Sequence, residues 1–324
     1  MDKGGFFYME KLAYKQILPY LPADLRDMLR RADQEQLAQL EELRLKPLVP
    51  PLCRFGNAEA FLAWDGTLVS QPSQGQALSI SELHKTVMLL SDSSFYAIEE
   101  ELRRGYITLP GGHRAGLCGR AVLSHGEIKN LKEISAINIR IARPVAGLAA
   151  PLLPQLLDSN GKLHHTLIVS EPRGGKTTLL RDLIRSISDG EGLAPLRVGI
   201  VDERSELAAM RGGIPQLPIG IRSDVLDGCP KAEGINMLLR SMGPEVIVCD
   251  EIGREEDAAA IMEAVNGGVR MLCSAHGASE DDLLSRPVLS KLLQQQAFER
   301  IILLSRRKGP GTVEWIKDGN WRLC

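Results

Sequence analysis

The sequence predicts an α/β protein in which a mostly parallel, doubly wound sheet follows a smaller α+β domain. In the C-terminal half, short apolar runs rich in β-branched residues alternate with amphipathic helical segments, as in "HTLIVS" before "KTTLLRDLIRSIS". Runs that are apolar on both faces are typical of strands buried between two helical layers. The N-terminal part has a different pattern, a polar helical stretch followed by short strand-like segments. Together the two patterns favour two domains of different architecture.

The N-terminal domain is expected to cover residues 1–143. Residues 1–50 are predicted to be helical, for instance over "RDMLRRADQEQLAQLEELRL". Strands are predicted at "AEAFLAW" and "GTLVS", a helix near Ile80–Leu90, and further strands at "GYITLPGGHRAGLCGRAVLS" and "AINIRIARPV". The boundary lies near Pro144, where "PVAGLAAPLLPQLLDSNGKLHH" has the composition of a linker with a short helix.

The C-terminal domain, residues 144–324, is predicted to alternate strands with helices. The strands are "HTLIVS", "LRVGIVDE", "EVIVCDE", "VRMLCSAHG" and "RIILLSRR". Helices are expected from about Lys176 to Ser188, over "AEGINMLLRSM" and "REEDAAAIMEAVNGG", and from about Ser279 to Gln296. The chain closes with "GTVEWIKDGNWRLC", which predicts a hairpin turning at Asp318-Gly319 on one edge of the sheet.

Composition and charge exclude several classes of function. The 324 residues are 44% hydrophobic and 25% charged with a net charge of −2, which argues against a protein that mainly coats nucleic acid. The six cysteines are scattered without metal-ligand spacing, so reduced thiols in a cytoplasmic protein are expected. No apolar run approaches the length of a membrane span. We therefore expect a soluble, cytoplasmic protein, peripheral at a membrane only through a partner.

The stretch "SEPRGGKTT", which continues the strand "HTLIVS", predicts a phosphate-binding loop. Such a loop presents backbone N–H groups at a helix N-terminus, where the helix dipole also favours an anion. Gly174 and Gly175 would let the backbone approach the β-phosphate. Lys176 would bring its charge to the β- and γ-phosphates, and the Thr177 hydroxyl would be a ligand for Mg²⁺. Thr178 is expected to bind nucleotide from the same helical turn.

The loop departs from the usual pattern at its beginning. Ser170 stands where a glycine is usual, and Glu171 and Arg173 add charges to a loop that normally has few. Ser170 and Arg173 are still expected to line the nucleotide site. A non-glycine residue forced to positive φ costs about 1–2 kcal/mol, so we expect slower hydrolysis rather than lost binding.

Acidic residues and a histidine follow the ends of other strands. Asp250 and Glu251 fall at the end of "EVIVCDE", Glu203 at the end of "LRVGIVDE" and His276 near the end of "VRMLCSAHG". Because ligand sites in α/β sheets open at the carboxyl ends of strands, these side chains are expected on one edge. Asp250 would hold Mg²⁺ through water, and Glu251 would polarise the attacking water. His276 would bond to the γ-phosphate or to that water, so the pattern predicts a nucleotide hydrolase.

The order of these motifs resembles the type II/IV secretion ATPases, which are hexameric motors related to RecA. The strings "GYITLPGGHRAGLCGRAV", "NIRIARPV", "VDERSELA", "GIRSDVLDGCPKAEG" and "DEIGREEDAAAIMEAVNGGV" are similar to the stage III sporulation protein AA family of endospore-forming bacteria. The resemblance covers about residues 95–290 well and the first 90 residues weakly. In the loop, Glu171 replaces a proline of the family pattern and Arg173 replaces a glycine.

The resemblance implies a RecA-like ATPase domain that binds ATP and Mg²⁺ and assembles into a homo-oligomer, in this family a hexamer. It implies a motor subunit that energises assembly of, or transport through, a membrane-embedded sporulation channel between mother cell and forespore. By carry-over, Glu203 would be the acidic-box residue and His276 the histidine-box residue. Arginines of the N-terminal domain reach toward the nucleotide across an interface in such motors, and Arg140 and Arg143 are the candidates.

Two alternatives remain open. A nucleotide-gated scaffold with little turnover would explain the charges at Glu171 and Arg173. A RecA-like translocase would explain the eight Lys/Arg against three Glu between Glu101 and Arg143. Nucleic acid is nevertheless an unexpected partner, because aromatic residues make up only 4% of the chain and offer few stacking surfaces. The eight basic residues are Arg103, Arg104, Arg114, Arg120, Lys129, Lys132, Arg140 and Arg143.

Overall fold

Side-chain capping interactions begin two of the helices of the first unit, Met1–Arg143 with Arg211–Gln216. This computed structural model describes residues 13–91, 101, 105–124, 126–143 and 145–324. Asp33 accepts hydrogen bonds from two N–H groups of the following helix, and Ser79 forms a capping box with Glu82. The helices are a 3-10 segment at Ala13–Tyr20, α1 at Ala23–Arg31, α2 at Gln34–Leu37 and α3 at Ile80–Leu90, the last as predicted.

A seven-stranded antiparallel sheet accompanies these helices in the first unit. Its strands are β1 Glu42–Leu45, β2 Leu52–Phe55, β3 Ala58–Leu62, β4 Leu68–Val69, β5 Tyr106–Thr108, β6 Arg114–Ser124 and β7 Glu127–Arg140. They lie in the order β4-β3-β2-β1-β7-β6-β5. Leu43 of β1 and Ile139 of β7 are paired in register, and both are buried in the apolar cluster that also includes Leu25 of α1.

The prediction of helix over residues 1–50 is wrong from Ala38 onward, because α2 ends at Leu37 and is followed by a turn and then a strand. Glu42–Leu45 forms β1, which pairs with β2 and β7. Leu43 and Leu45 are buried while Arg44 between them is exposed, which is the two-residue period of a strand. Pairing with sheet neighbours on both sides outweighs the helical pattern of the preceding residues. Strand β2 was not expected from the sequence either.

The second unit, Pro144–Met210 with Leu217–Cys324, contains the predicted doubly wound sheet. Its first strands are β8 Thr166–Ser170 and β9 Val198–Asp202. A separate two-stranded sheet follows in the chain, formed by β10 Met210–Arg211 and β11 Ile214–Pro215, and all of it except Met210 belongs to the first unit. The remaining strands are β12 Ser223–Asp227, β13 Val246–Cys249, β14 Arg270–His276, β15 Arg300–Ser305 and β16 Thr312–Asp318. The main sheet has the order β12-β9-β13-β14-β8-β15-β16, and its neighbours from β12 to β15 are parallel.

Burial on both faces explains the unbroken apolar runs of these strands. Leu167 and Val169 of β8 contact one apolar cluster, and Ile168 between them contacts the other. Such two-sided burial requires a helical layer on each face. The helices are α4 Lys176–Asp189, α5 Lys231–Ser241, α6 Glu255–Asn266, α7 Glu280–Ser285 and α8 Pro287–Gln294.

Two predictions at the C-terminal end need adjustment. The single helix expected over Ser279–Gln296 is two helices, because Arg286 is extended and Pro287 begins α8. A proline has no N–H for an interior helical bond but fits the first helical position. The hairpin predicted to turn at Asp318-Gly319 is wrong in its pairing: β16 pairs antiparallel with β15 through a connection at residues 306–311, and the turn after Asp318 leads only to an isolated bridge between Lys317 and Leu323. Within the described ranges, no helix has the length and apolar character of a membrane span.

Candidate nucleotide site

The loop from β8 to α4 places backbone N–H groups at the N-terminus of a helix. Gly175 precedes α4 in a left-handed conformation with φ of 95°. The N–H of Leu179 donates to the Gly175 carbonyl at 3.0 Å, and the N–H groups before it have no helical partner. They belong to Lys176, Thr177 and Thr178. Unpaired N–H groups and the helix dipole attract an anion, so this loop has the geometry of a phosphate site.

The connection between β15 and β16 lies directly against this loop. The N–H of Gly311 in that connection donates to the Gly174 carbonyl at 2.8 Å. A Cβ atom added to Gly175 would lie 2.7 Å from the Gly311 nitrogen, which is too close. Position 175 therefore requires glycine both for its positive φ and for this backbone contact. No local pattern in the sequence indicates the contact, because its partners are far apart along the chain.

Ser170 is compatible with the loop although a glycine is usual at its position. It is the buried last residue of β8, and its hydroxyl donates to the Glu171 carbonyl at 2.7 Å. A Cβ atom on Gly174 would lie 2.6 Å from the Cβ of Ser170. The serine side chain therefore uses space that is open because residue 174 has no side chain.

Arg173 has the strained, positive-φ backbone that the sequence analysis predicted for a non-glycine residue in this loop. Its φ is 61°, in the left-handed region, and its side chain is exposed. The strain belongs to the folded loop itself, so it lowers the free energy of unfolding and does not have to be supplied by a ligand. The strain therefore gives no reason to expect weaker nucleotide binding.

Replacing Arg173 by glycine is expected to raise the free energy of unfolding by about 1 kcal/mol, because glycine adopts positive φ without steric cost. Arg173→Ala is the matched control, since it removes the same charge but keeps a Cβ atom. Chemical denaturation of the two variants and the wild type measures the effect. Equal stability of the glycine and alanine variants would contradict strain as the cause.

Lys176 is buried and lies between the loop and a neighbouring strand. Its Nζ donates to the carbonyls of Ser170 at 3.0 Å and Glu171 at 3.3 Å, and it lies 3.1 Å from Nδ1 of His276. Burial lowers the pKa of Lys176, while the charges of Asp250 and Glu251 act in the opposite direction. The ammonium group is thus held where a phosphate at the helix N-terminus would meet it.

The strand order explains why His276 reaches this lysine. His276 ends β14, which lies between β8 and β13, and it is the register partner of Ser170. The carboxyl ends of β9, β13, β14 and β8 are consecutive in the sheet. The expected gathering of the strand-end side chains on one edge therefore follows from the sheet topology.

Thr177 and Asp250 form the pair that the sequence assigned to a metal. The Thr177 hydroxyl donates to Oδ2 of Asp250 at 2.9 Å. The other oxygen of Asp250 accepts a bond from the buried hydroxyl of Ser274, which also accepts the Glu251 N–H at 3.0 Å. Ser274 was not predicted, although a serine inside the apolar run "MLCSAH" is a signal that could have identified it. Thr178 is half-buried in the same turn as Thr177.

The side chains of Glu251 and His276 contact each other beside the phosphate loop. Nε2 of His276 lies 3.0 Å from Oε1 of Glu251, whose side chain is only 18% exposed. Because the Lys176 ammonium only donates and the Glu251 carboxylate only accepts, neutral His276 satisfies both when Nδ1 accepts and Nε2–H donates. Glu251 has φ of 51°, a strained conformation of the kind that concentrates at functional sites.

Three cations near this edge were not assigned a role from the sequence. Arg204, in the turn after β9, forms an ion pair with the second carboxylate oxygen of Glu251. Lys231 is buried at the start of α5 and pairs with Glu203. Arg254 is the other partner of Glu203, at 3.8 Å. Arg204 directly follows Glu203 and Arg254 is three residues after Glu251, but these positions do not specify a partner, and Lys231 has no predicted carboxylate beside it in the sequence.

Glu203 faces cations rather than the phosphate loop. Burial raises its pKa, but the hydrogen bond and charge of Lys231 and the charge of Arg254 outweigh burial, so the pKa lies below its usual value. Its neighbour Asp202 is buried and accepts three backbone N–H bonds from the following turn. Burial raises the pKa of Asp202 against the effect of these bonds. Asp202 thus shapes the turn, and a catalytic role for Glu203 stays a prediction.

The two arginines predicted to reach nucleotide differ in their surroundings. Nη2 of Arg143 donates to the carbonyls of Ala38 at 2.6 Å and Leu40 at 3.0 Å within the first unit. Arg140 is 64% exposed and lies 3.8 Å from a carboxylate oxygen of Glu42. Arg143 has a structural use that Arg140 lacks, and both nucleotide contacts stay predictions.

The basic segment that suggested nucleic-acid binding is partly paired. Arg114 lies over the Tyr106 ring at 4.6 Å, and Arg120 lies 3.5 Å from an oxygen of Glu133. Arg103, Arg104 and the side chain of Lys129 lie outside the described residues. The described part therefore has no feature beyond its charge that favours nucleic acid.

Solved structures with this fold include an ATPase and a pilus retraction motor. The ATPase DotB of Legionella pneumophila is 15% identical over 87% of this chain and 76% of its own, with a TM-score of 0.53. The pilus retraction motor PilT, solved with bound ADP, is 15% identical over 83% of this chain and 76% of its own, also with a TM-score of 0.53. At this identity the likeness concerns the fold, and it confirms the predicted α/β architecture.

The family resemblance is confirmed along almost the whole chain. The family model described as sporulation stage III, protein AA, matches residues 11–322. Stage III sporulation protein AA of Bacillus subtilis (strain 168) is 46% identical over 309 residues, which make up 94% of this chain and 96% of that protein. The match includes most of the first 90 residues, where the sequence motifs were weak. The chain therefore belongs to the sporulation stage III, protein AA family.

Proposed function

We propose that the chain binds ATP with Mg²⁺ and hydrolyses ATP at the carboxyl edge of its parallel sheet. The observation that carries this proposal is a connected set of contacts beside a helix N-terminus. Lys176 contacts His276, His276 contacts Glu251, and Thr177 donates to Asp250. The set combines a cation for phosphate, two oxygens for a metal and a base for water. The fold shared with the ATPase DotB and with ADP-bound PilT supports the same proposal.

The residues present fit a magnesium ion that nucleotide phosphates help to hold. Thr177 Oγ1 and Asp250 Oδ2 are hard oxygen ligands 2.9 Å apart. The described residues include no group of three His, Cys, Asp or Glu side chains that could hold a metal alone. Magnesium at nucleotide sites typically uses one or two protein oxygens with phosphate and water, so this small set is sufficient. When bound, the ion would neutralise charge on the β- and γ-phosphates.

The protein groups have separate tasks in this hydrolysis. The α4 N–H groups and the Lys176 ammonium bind the phosphates, and the glycines keep the backbone close to them. Glu251 accepts the proton of the attacking water, and His276 orients that carboxylate through its Nε2–H. The proximity of Lys176 to His276 means that phosphate binding and the orientation of Glu251 are linked through one imidazole ring.

In the cell, we propose that the chain is a motor subunit of a sporulation channel between mother cell and forespore. Membership of the stage III family supports this role, and the fold of secretion motors suggests a homo-oligomer, in this proposal a hexamer. The N-terminal domain, residues 1–143, and the ATPase domain, residues 144–324, would form each subunit. Contact with the membrane would run through membrane-embedded channel proteins, with the chain itself on the cytoplasmic side.

A nucleotide-gated scaffold with little turnover is the second candidate. It is favoured by one observation, that both carboxylate oxygens of Glu251 already have partners in His276 and Arg204. A base held in this way binds water less readily. The two candidates agree on nucleotide binding and differ in the rate of hydrolysis.

Replacing Lys176 by alanine is expected to weaken binding of ADP and ATP by about tenfold or more, since a charge-assisted bond to phosphate is lost. Lys162→Ala is the control, because Lys162 is exposed before β8 and away from the loop. Titration calorimetry with Mg²⁺ measures both variants, and light scattering of the same samples reports assembly with nucleotide. Equal nucleotide affinity of the wild type and Lys176→Ala would contradict the proposed site.

A further inference from the structure

Arg204 forms an ion pair with Glu251, the carboxylate that the proposed hydrolysis needs as its general base. Its Nη1 forms an ion pair with Oε2 of Glu251, and Oε1 of the same carboxylate lies 3.0 Å from Nε2 of His276. Water activation requires an oxygen of Glu251 that is free to accept a proton. The ion pair with Arg204 must therefore weaken or break before Glu251 can accept a proton from water.

The backbone beneath Arg204 is held by hydrogen bonds, while its side chain is largely exposed to solvent. The buried carboxylate of Asp202 accepts three backbone N–H bonds from the turn, and the Ser205 hydroxyl donates to Asp227 at 2.5 Å. The Arg204 side chain is 64% exposed. An ion pair with so much exposure is readily exchanged for another anion, because water screens it and competes for it. The guanidinium can change partners without moving the turn.

A γ-phosphate at the helix N-terminus would bring a second anion close to Glu251. Two neighbouring anions repel each other unless a cation lies between them. Lys176 donates to the loop carbonyls, and in the proposed site its remaining capacity would serve the phosphates. A guanidinium has five N–H donors in a planar fork, enough to contact a carboxylate and a phosphate together.

We propose that Arg204 is the γ-phosphate sensor of this site, a positioning residue that gives up part of its contact with Glu251 when it binds the γ-phosphate. This inference rests on the proposed ATP site. ADP has no γ-phosphate, so Arg204 keeps its contact with Glu251 when ADP is bound. The exchange releases an oxygen of Glu251 for the attacking water only when ATP is present, and it makes the site select ATP over ADP.

The test compares affinities of the full chain for ADP and for the non-hydrolysable analogue AMP-PNP, both with Mg²⁺, by titration calorimetry. In Arg204→Gln, affinity for AMP-PNP is expected to fall about tenfold while affinity for ADP stays within about twofold, since one charge-assisted bond to the γ-phosphate is lost. Arg204→Lys keeps the charge without the fork and should lie between the two. A thermal melt checks that each variant is folded.

Arg197→Gln is the matched control. Arg197 precedes β9 as Arg204 follows it, its side chain is also 64% exposed, and it pairs with Glu245 at 3.4 Å. This control should leave both affinities unchanged. If Arg204→Gln loses affinity for ADP and AMP-PNP equally, or for neither, the proposal that Arg204 senses the γ-phosphate is overturned. A wild type that binds neither nucleotide overturns the ATP site as well, so the two failures are distinguishable.

Discussion

Replacing Glu251 by glutamine is expected to lower kcat for ATP hydrolysis by about 100-fold or more, because a positioned general base contributes 10²–10⁴ to such a reaction. Glutamine has nearly the same shape and can still accept the Nε2–H of His276, so nucleotide binding should persist. The measurement is phosphate release under saturating ATP and Mg²⁺, with AMP-PNP affinity measured in parallel.

The same experiment separates a motor from a scaffold. Glu256→Gln is the control, since Glu256 is exposed in the first turn of α6 and carries the same charge a few residues away. This variant should hydrolyse ATP at the wild-type rate. If the wild type turns over ATP no faster than Glu251→Gln although both bind AMP-PNP, the motor proposal fails and the scaffold stands.

The sequence predicts the chemistry of the strand ends because each signal is local. An apolar run that stops at Asp250 or His276 marks both a buried strand and the residue at its carboxyl end. The parallel sheet then supplies the proximity, since the ends of neighbouring parallel strands share one edge. The fold class and the gathering of these side chains therefore follow from period, order and topology alone.

The contacts between distant loops could not be obtained in this way. Nothing in the sequence pairs Arg204 with Glu251, and nothing brings Gly311 against Gly174. Such contacts depend on side-chain rotamers and on the course of loops, which carry no periodic signal. The backbone of Arg173 is an intermediate case. The missing glycine predicts strain, but only the structure shows that the positive φ is already present in the folded loop without a ligand.

A second large effect is expected in the first unit, where His113 is buried and neutral. Its Nδ1 accepts the Ala142 N–H at 2.9 Å, and its Nε2 lies 3.0 Å from Oε1 of Gln16. A backbone N–H only donates, so Nδ1 carries no proton and Nε2–H donates to the glutamine. Protonation would place a charge in a buried site and break the bond from Ala142.

The pKa of His113 translates into a loss of stability in acid. Burial lowers this pKa from 6.5 to about 4, against a smaller opposing effect of the backbone of Ala13. The unfolded chain, with the ordinary pKa, therefore binds more protons than the folded chain between those two values. The contribution of neutral His113 is complete above pH 6.5 and is lost as the pH falls toward 4. The loss over that window amounts to about 3 kcal/mol.

Replacing His113 by asparagine is expected to reduce the pH dependence of the stability of the first unit between pH 7.5 and 5. Asparagine keeps an acceptor near the position of Nδ1 but does not titrate, so the variant should be less stable at pH 7.5 and lose less on acidification. Hydrogen exchange of β1 and β7 amides, followed by mass spectrometry, reports this unit separately.

His84→Asn is the control, because His84 is exposed on α3 and should leave the acid sensitivity unchanged. A wild-type pH dependence retained in His113→Asn would assign the acid sensitivity to other groups, whereas its loss would show that one buried imidazole sets the acid limit of the unit.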